Sequence, residues 1–205
     1  MSTSFEVFPT SKKELKCDEI IEYSAKLFRD FLKRKNISYK IDITAREVTA
    51  DNKVSKRPLS LVKNENCHTV FNLNEEGEVY VFYHKFTELD KTFWYEEMQR
   101  NKNAQCMQER IVANLDVGYS WDVKRTMGQP AIVSLYYGYL AIAIAGLTDG
   151  IIYSDDGAWD YSIFPIDGIA FEMKYLNCEK ISDTMVKSNV NKWLGVLKNS
   201  NVGIN

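Results

Sequence analysis

The segment AIVSLYYGYLAIAIAGL, from Ala131 to Leu147, decides how the rest of this chain can fold, because it holds seventeen residues without a charge. A helix that is apolar nearly all round is either buried in a core or crosses a membrane. A membrane span needs about 20 apolar residues. This segment is marginally short for that, includes Ser134 and three tyrosines, and has no basic flank at its C-terminal end. The sequence therefore favours a buried core helix over about 130–147, with no membrane association.

Two features predict how this helix is placed. Pro130 precedes the apolar run, and proline is well tolerated at the first position of a helix. Gly138, Ala141 and Ala145 then recur every three or four residues. Such a strip of small side chains lets a neighbouring element approach closely, and in a membrane it would serve helix pairing.

The flanking segments predict a sheet with further helices. Apolar side chains at helical spacing predict helices at about 18–35, at 90–115 with or without a break near 101–103, at 168–176 and from 182 onward. The tail from 199 to 205 is expected to fray. Alternating apolar residues predict strands near 37–48, 69–73, 78–84, 119–123 and 151–153. We expect an α+β fold in which an antiparallel or mixed sheet is covered by helices.

The composition is typical of one globular domain spanning residues 1–205. Its 26 basic and 28 acidic residues are mixed along the chain, giving a net charge of −2. Because the sequence has no cluster of basic residues that could contact a phosphate backbone, nucleic-acid binding is disfavoured. The N-terminal segment lacks the seven or more consecutive apolar residues of a signal peptide. We therefore expect a cytoplasmic protein.

Motifs for the common catalytic and metal chemistries are missing from the sequence. The four cysteines form no C-x-x-C, so neither a zinc knuckle nor a redox pair is predicted. Cys67 and His68 are adjacent on a predicted strand and would point to opposite faces. A G-x-S-x-G elbow, a glycine-rich phosphate loop and an H-E-x-x-H pair are absent. We expect no metal and no cofactor.

Four aspartates, Asp149, Asp155, Asp156 and Asp160, lie within twelve residues directly after the apolar segment. Carboxylates converging in this way could hold a divalent cation, but their spacing does not match the EF-hand order. Aspartates also cap helices and form turns, so the run could equally be structural. Partner binding, ligand binding and acid/base chemistry remain the functional alternatives.

An enzyme built on these carboxylates stays open, because paired carboxylates have no fixed spacing in sequence. Such a hydrolase-like enzyme would use the region of Asp149, Asp155 and Asp156. Asp155 could also work with Glu96 or Glu97 from the preceding helical region.

Trp159 lies among these aspartates, and tryptophan beside acidic residues is typical of recognition surfaces. An indole that anchors the core is the alternative interpretation. Arg125 is the nearest counter-charge candidate. If the strand around Trp121 pairs beside the strand at Ile151, Arg125 would form an ion pair with the turn at 155–156.

The stretch YSWDVKRTMGQPAIVSLYYGYLAIAIAGLTDGIIYSDDGAWDYSIFP, residues 119–165, resembles an uncharacterised family of bacterial proteins of about this length. Weaker similarity extends to FEVFPT and FWYEEMQRN. The chain is also similar to the immunity proteins with which bacteria neutralise polymorphic toxins in the cytosol. The resemblance implies no catalytic residues.

The functional hypothesis is a cytoplasmic bacterial protein that binds another protein. If it is an immunity protein, the bound protein is a toxin that it neutralises. The alternative is the carboxylate- or metal-dependent enzyme. The candidate binding residues are Arg125, Gln129, Asp149, Asp155, Asp156, Trp159 and Asp160. The sequence predicts neither the identity of the partner nor an oligomeric state.

Overall fold

A computed structural model describes residues 2–51, 53–54, 58–157 and 159–200. The strands are β1 Ser2–Phe8, β2 Ile43–Thr49, β3 Cys67–Leu73, β4 Gly77–Lys85, β5 Tyr119–Thr126, β6 Ile151–Tyr153 and β7 Ile166–Asp167. The helices are α1 Cys17–Arg34, α2 Glu88–Arg100, α3 Lys102–Cys106, α4 Gln108–Val117, α5 Ala131–Thr148, α6 Gly168–Lys174 and α7 Thr184–Ser200. The predicted α+β class and the single buried apolar helix are confirmed.

All the strands pair antiparallel in one sheet with the order β2-β3-β4-β5-β1-β6-β7. The N-terminal strand β1 lies inside this sheet, between β5 and β6. Val7 is therefore paired with Trp121 on one side and with Ile152 on the other. The condition for the predicted ion pair, that β5 and β6 are neighbours, is not met.

Helix α5 packs across one face of the sheet and is itself covered by α1, α6 and α7. It is long and apolar enough to span a membrane, yet 83% of it is buried inside the protein. Its strip of small residues allows the close contacts that the sequence predicted. A Cβ atom at Gly138 would lie 2.1 Å from the Tyr175 ring, and one at Gly168 would lie 3.2 Å from Ala145 Cβ.

Several predicted boundaries were wrong for local reasons. The strand predicted from residue 37 begins at Ile43, because the Ile37 amide donates back to the Leu32 carbonyl at the end of α1. The region 90–115 contains three helices instead of one or two. The extended backbone at Asn101 ends α2, and its side chain accepts hydrogen bonds from the first amides of α3. Helix α7 reaches Ser200, and the rest of the tail predicted to fray lies outside the described residues.

The opposite face of the sheet is only partly covered. Trp94 of α2 packs edge-on against Phe8 at 4.8 Å and against Tyr153 at 5.4 Å between ring centroids. These contacts close one end of that face. Farther along, toward β2, the side chains of Arg46 and Lys124 keep 40% and 36% of their surface exposed. This uncovered area is called the open face below.

Candidate functional site

Two rows of side chains cross the open face, because residues paired between antiparallel strands point to the same side of a sheet. The first row runs through Arg46, Val70, Tyr80, Lys124 and Ser4. The second row runs through Val48, His68, Phe82, Asp122, Glu6 and Tyr153. The open face thus combines an aromatic half on β3 and β4 with an acidic half on β5 and β1.

The aromatic half is a set of stacked, partly exposed rings. His68 stacks on Phe82 with ring centroids 4.7 Å apart, and Tyr80 lies 6.0 Å from His68. The Lys124 ammonium lies 5.5 Å from the centre of the Phe82 ring, within the range of a cation–π contact. Burial lowers the pKa of His68, and the Arg46 charge lowers it further. The imidazole of His68 is therefore uncharged at neutral pH and stacks on Phe82 as an aromatic ring.

Polar side chains hold these rings in place. Arg46 forms an ion pair of 2.6 Å with Glu78, and the Tyr80 hydroxyl donates to the same carboxylate at 3.0 Å. Lys124 forms an ion pair of 2.9 Å with Asp122. Tyr80 is thus held by a hydrogen bond, and Phe82 by Lys124 and His68, so both rings are restricted by neighbours on their own face.

The acidic half centres on Glu6. This residue is paired with Asp122 on one neighbouring strand and with Tyr153 on the other. Burial raises the pKa of Glu6 to about 8, and the nearby charges of Asp122 and then Asp155 raise it as well. Glu6 therefore holds a proton at neutral pH while Lys124 partly offsets its acidic neighbours.

Asp156 extends the pairing of β1 beyond the end of β6. Its carboxylate accepts hydrogen bonds from the Ser4 amide at 2.7 Å and from the Ser4 hydroxyl at 2.8 Å. The Ser154 hydroxyl donates to the Ser4 carbonyl at 2.8 Å. The side chains of Ser154 and Asp156 thus make the hydrogen bonds to β1 that a longer β6 would make. Asp155, next to them, is exposed.

Trp159 and Asp160 lie inside the protein. Trp159 is 4% exposed and packs on Tyr175 with ring centroids 4.6 Å apart. The indole therefore anchors the core, which was the alternative interpretation of this residue. Asp160 accepts a hydrogen bond from the Ser162 amide at 3.1 Å, and it also accepts from the amide and hydroxyl of Ser182. Asp160 thereby ties the loop to the segment before α7.

Asp149 lies at the other end of β6 from the turn at 155–156. It ends α5 in a left-handed conformation with φ of 50° and forms an ion pair of 2.9 Å with Arg110. Extended chain rises about 3.3 Å per residue. The three residues of β6 and their flanks therefore separate Asp149 from Asp155 and Asp156, and the structure does not bring these carboxylates together.

Two candidate binding residues, Arg125 and Gln129, precede α5. Arg125 lies on the helical side of the sheet, and Gln129 lies in the turn before the helix. The Arg125 guanidinium lies between the rings of Tyr137 and Trp193, 4.9 and 5.1 Å from their centroids. Within the described residues it forms no ion pair with the turn at 155–156, so that prediction was wrong. The cause is β1, which occupies the space between the two strands. Gln129 bridges turns: it donates to the Thr126 hydroxyl at 2.9 Å.

The other carboxylates proposed for catalysis are already engaged or remote. Glu97 is 1% exposed, pairs with Arg100 at 2.5 Å and accepts from the Asn101 side chain at 3.0 Å. Glu96 is exposed on α2. In the described part of the chain, no group of three or more His, Cys, Asp or Glu residues is placed to hold a metal ion.

No protein-family model, curated protein or solved structure matches this chain. A function for it therefore has to be inferred from the open face and its chemistry.

Sequence reasoning missed the residues of the open face. The alternation in GEVYVFYHK contains the necessary pattern, because buried Val79 and Val81 turn Tyr80 and Phe82 to the opposite side. Glu6 lies in FEVF, where Phe5 and Val7 are fully buried on either side of it. That alternation is typical of a strand, which was not predicted here, and nothing local indicates that Asp122 lies beside Glu6.

Proposed function

We propose that this protein binds another protein through its open face. The observation that carries the proposal is the partly exposed stack of His68 and Phe82 on the open face, with Tyr80 beside it. Aromatic side chains supply much of the binding energy in protein interfaces when they are fixed and can be desolvated. The ion pairs that surround these rings provide a polar rim of the kind that interfaces use.

The charge on the open face favours a basic partner. Four carboxylates lie on it or at its edge, namely Glu78, Asp122, Asp155 and Asp156, against the two cations Arg46 and Lys124. With Glu6 protonated and His68 neutral, the difference is two negative charges. Charge complementarity steers association and suppresses wrong partners, so the partner presents a cationic surface.

An immunity protein is the specific form of this proposal. Its partner would be a basic bacterial toxin, such as a nuclease, whose site is occluded in the cytoplasm. The acidic and aromatic character of the open face supports this interpretation.

Radical footprinting tests where the partner sits. The probe, called the toxin candidate below, is the purified product of the gene immediately upstream of the one that encodes this chain. We expect oxidation of Tyr80 and Phe82 to fall on complex formation, while oxidation of Met173 and Met185 is unchanged. These methionines are 60% and 62% exposed on the helical side and serve as internal controls. Protection of the methionines alone would contradict the proposal.

The second candidate function is an enzyme. Its acid/base residue would be Glu6 instead of Asp149, because the pKa of Glu6 is raised to about 8. Glu6 holds its proton next to a second carboxyl group, Asp122, and general acid–base catalysis can be built on such a pair. For a metal-dependent version, thermal melting with millimolar Mg²⁺, Ca²⁺ or Mn²⁺ is decisive. A ligand at a hundredfold excess over its Kd stabilises by about 2.7 kcal/mol. An unchanged melting temperature would exclude that version.

A further inference from the structure

A second candidate site lies on the helical side of the molecule, away from the open face. A cavity of about 770 Å³ opens between the end of α1, the middle of α5, the segment after α6, and α7. We call it the α1–α7 groove. Small-molecule sites in proteins range from about 300 to 1,000 Å³, so its size is that of a ligand site.

The floor of the α1–α7 groove is apolar and aromatic. Phe31, Tyr139, Tyr175 and Leu194 line it, and each is at most 8% exposed. Tyr139 packs edge-on against Tyr175 at 5.4 Å and is tilted against Phe31 at 5.6 Å. These buried side chains form a rigid base, and Met173, which also lines the groove and is 60% exposed, supplies apolar surface that a ring or an acyl chain can reach.

The rim of the groove carries an excess of positive charge. The lining includes the four cations Arg34, Lys35, Lys180 and Lys198 and the two carboxylates Glu172 and Glu179, a difference of two positive charges. None of the four cations forms an ion pair with the described residues. Their charges are thus not neutralised by a described carboxylate, although Lys35 lies 5.9 Å from the centre of the Phe31 ring and Arg34 hydrogen-bonds the Tyr139 hydroxyl.

Arg34 connects the rim to the floor. Burial raises the pKa of the Tyr139 hydroxyl, and Arg34 acts in the opposite direction because it stands close to that oxygen. Glu172 is also near this hydroxyl and raises its pKa. A charged head group would meet Arg34 where the aromatic floor begins.

Gly195 keeps one wall of the groove open. It lies inside α7, where glycine costs about 1 kcal/mol relative to alanine. A Cβ atom at this position would meet nothing within 4 Å. The space that a larger side chain would fill is therefore part of the groove.

We infer that the α1–α7 groove binds a small organic anion, an aryl or acyl compound with a carboxylate, sulfonate or phosphate head. The apolar body lies against Met173 above the floor, and the head lies among Arg34, Lys35 and Lys198. A protein partner would need about 800 Å² of surface on this side, whereas the groove is the size of one small molecule. This inference goes beyond the proposed protein binding and uses none of its residues.

Fluorescence titration tests the groove, with 8-anilinonaphthalene-1-sulfonate as the anionic probe and N-phenyl-1-naphthylamine as its uncharged counterpart. We expect saturable binding of the sulfonate to the native protein and at least tenfold weaker binding of the neutral compound. Arg34→Gln and Lys198→Gln should each weaken sulfonate binding at least tenfold. Lys187→Gln, on the same helix as Lys198 but outside the groove, should change it less than twofold.

Two substitutions at Gly195 separate occlusion from unfolding. Gly195→Phe should fill the groove and abolish sulfonate binding, while Gly195→Ala should keep it. Urea denaturation of both variants checks that each is folded. The inference is overturned if the native protein does not bind the sulfonate saturably at millimolar concentration, if the neutral compound binds as well, or if Gly195→Phe binds like wild type. Binding of the toxin candidate is measured in parallel and should be unaffected by Gly195→Phe.

Discussion

Ser4 and Asp156 are joined by two hydrogen bonds, one from the Ser4 amide at 2.7 Å and one from its hydroxyl at 2.8 Å. The amide of an inner strand would otherwise have no acceptor here, because β6 ends at Tyr153. Asp156 is therefore part of the scaffold that holds the loop against β1, whatever else it binds.

The Ser4–Asp156 contact predicts a stability loss. Hydrogen bonds to charged groups contribute about 1.5–3 kcal/mol, and exposure to solvent reduces this. We expect Asp156→Ala to lower the free energy of unfolding by about 1–2 kcal/mol, measured by urea denaturation. Asp155→Ala is the matched control, because Asp155 is an exposed neighbour, and surface changes usually stay within about 0.5 kcal/mol. Equal effects of the two variants would show that the contact is not what stabilises the loop.

Two glycines in helix interiors predict opposite outcomes for one substitution. Gly138→Ala places a methyl group 2.1 Å from the Tyr175 ring and should destabilise by about 1–3 kcal/mol, as overpacking does. It would also displace the Tyr175 hydroxyl from the Leu135 carbonyl, to which it donates at 3.0 Å. Gly195→Ala meets open space and should stabilise by up to about 1 kcal/mol. Denaturant unfolding measures both; the same sign for both would contradict this packing.

Glu6 predicts how stability depends on pH. Its pKa is about 8 in the folded chain against 4.5 for an ordinary glutamate. Between these values the folded chain holds a proton that the unfolded chain has lost, so stability falls as pH rises through that window. The groups that act on Glu6 are Asp122 and Lys124 of β5 and the carboxylates of 155–156.

Glu6→Gln removes this titration. A pKa difference of one corresponds to about 1.4 kcal/mol. We expect the variant to be more stable than wild type by at least about 1 kcal/mol at pH 8.5, with no such advantage at pH 4. Glu22→Gln, an exposed change on α1, is the control. Parallel stability curves for wild type and Glu6→Gln between these pH values would refute the buried-proton description.

Arg125 is held by rings and not by the acidic turn, and a double-mutant cycle tells the two apart. Cation–π contacts contribute about 0.5–2 kcal/mol. We expect Arg125→Gln and Trp193→Leu to show a coupling energy of about 0.5–1 kcal/mol in unfolding experiments. The pair Arg125→Gln and Asp155→Ala should show none. Coupling to Asp155 without coupling to Trp193 would restore the ion pair predicted from the sequence.

The elements that the sequence predicts well are those with a strong local pattern. The apolar helix was placed within a residue or two of α5, and the β3–β4 hairpin follows from its alternation. Strand β1 was missed because its partners lie more than a hundred residues away, from Tyr119 onward. The open face depends on that strand and on which part of the sheet the helices leave uncovered. The place of β1 in the sheet and the area that the helices leave uncovered are not encoded in local periodicity. The sequence therefore pointed to the acidic loop instead of Glu6, Tyr80 and Phe82.

The affinity of open-face variants for the toxin candidate, the product of the adjacent upstream gene, tests the proposed function most directly. Calorimetry should show that Phe82→Ala and Tyr80→Ala each weaken binding by more than about 1 kcal/mol, the usual threshold for an important interface position. Met185→Ala, a change at a more exposed position on the helical side, should leave the affinity within twofold. Denaturant unfolding of the same samples separates binding from stability. Unchanged affinity in both aromatic variants, with the toxin candidate still bound, would contradict binding through the open face.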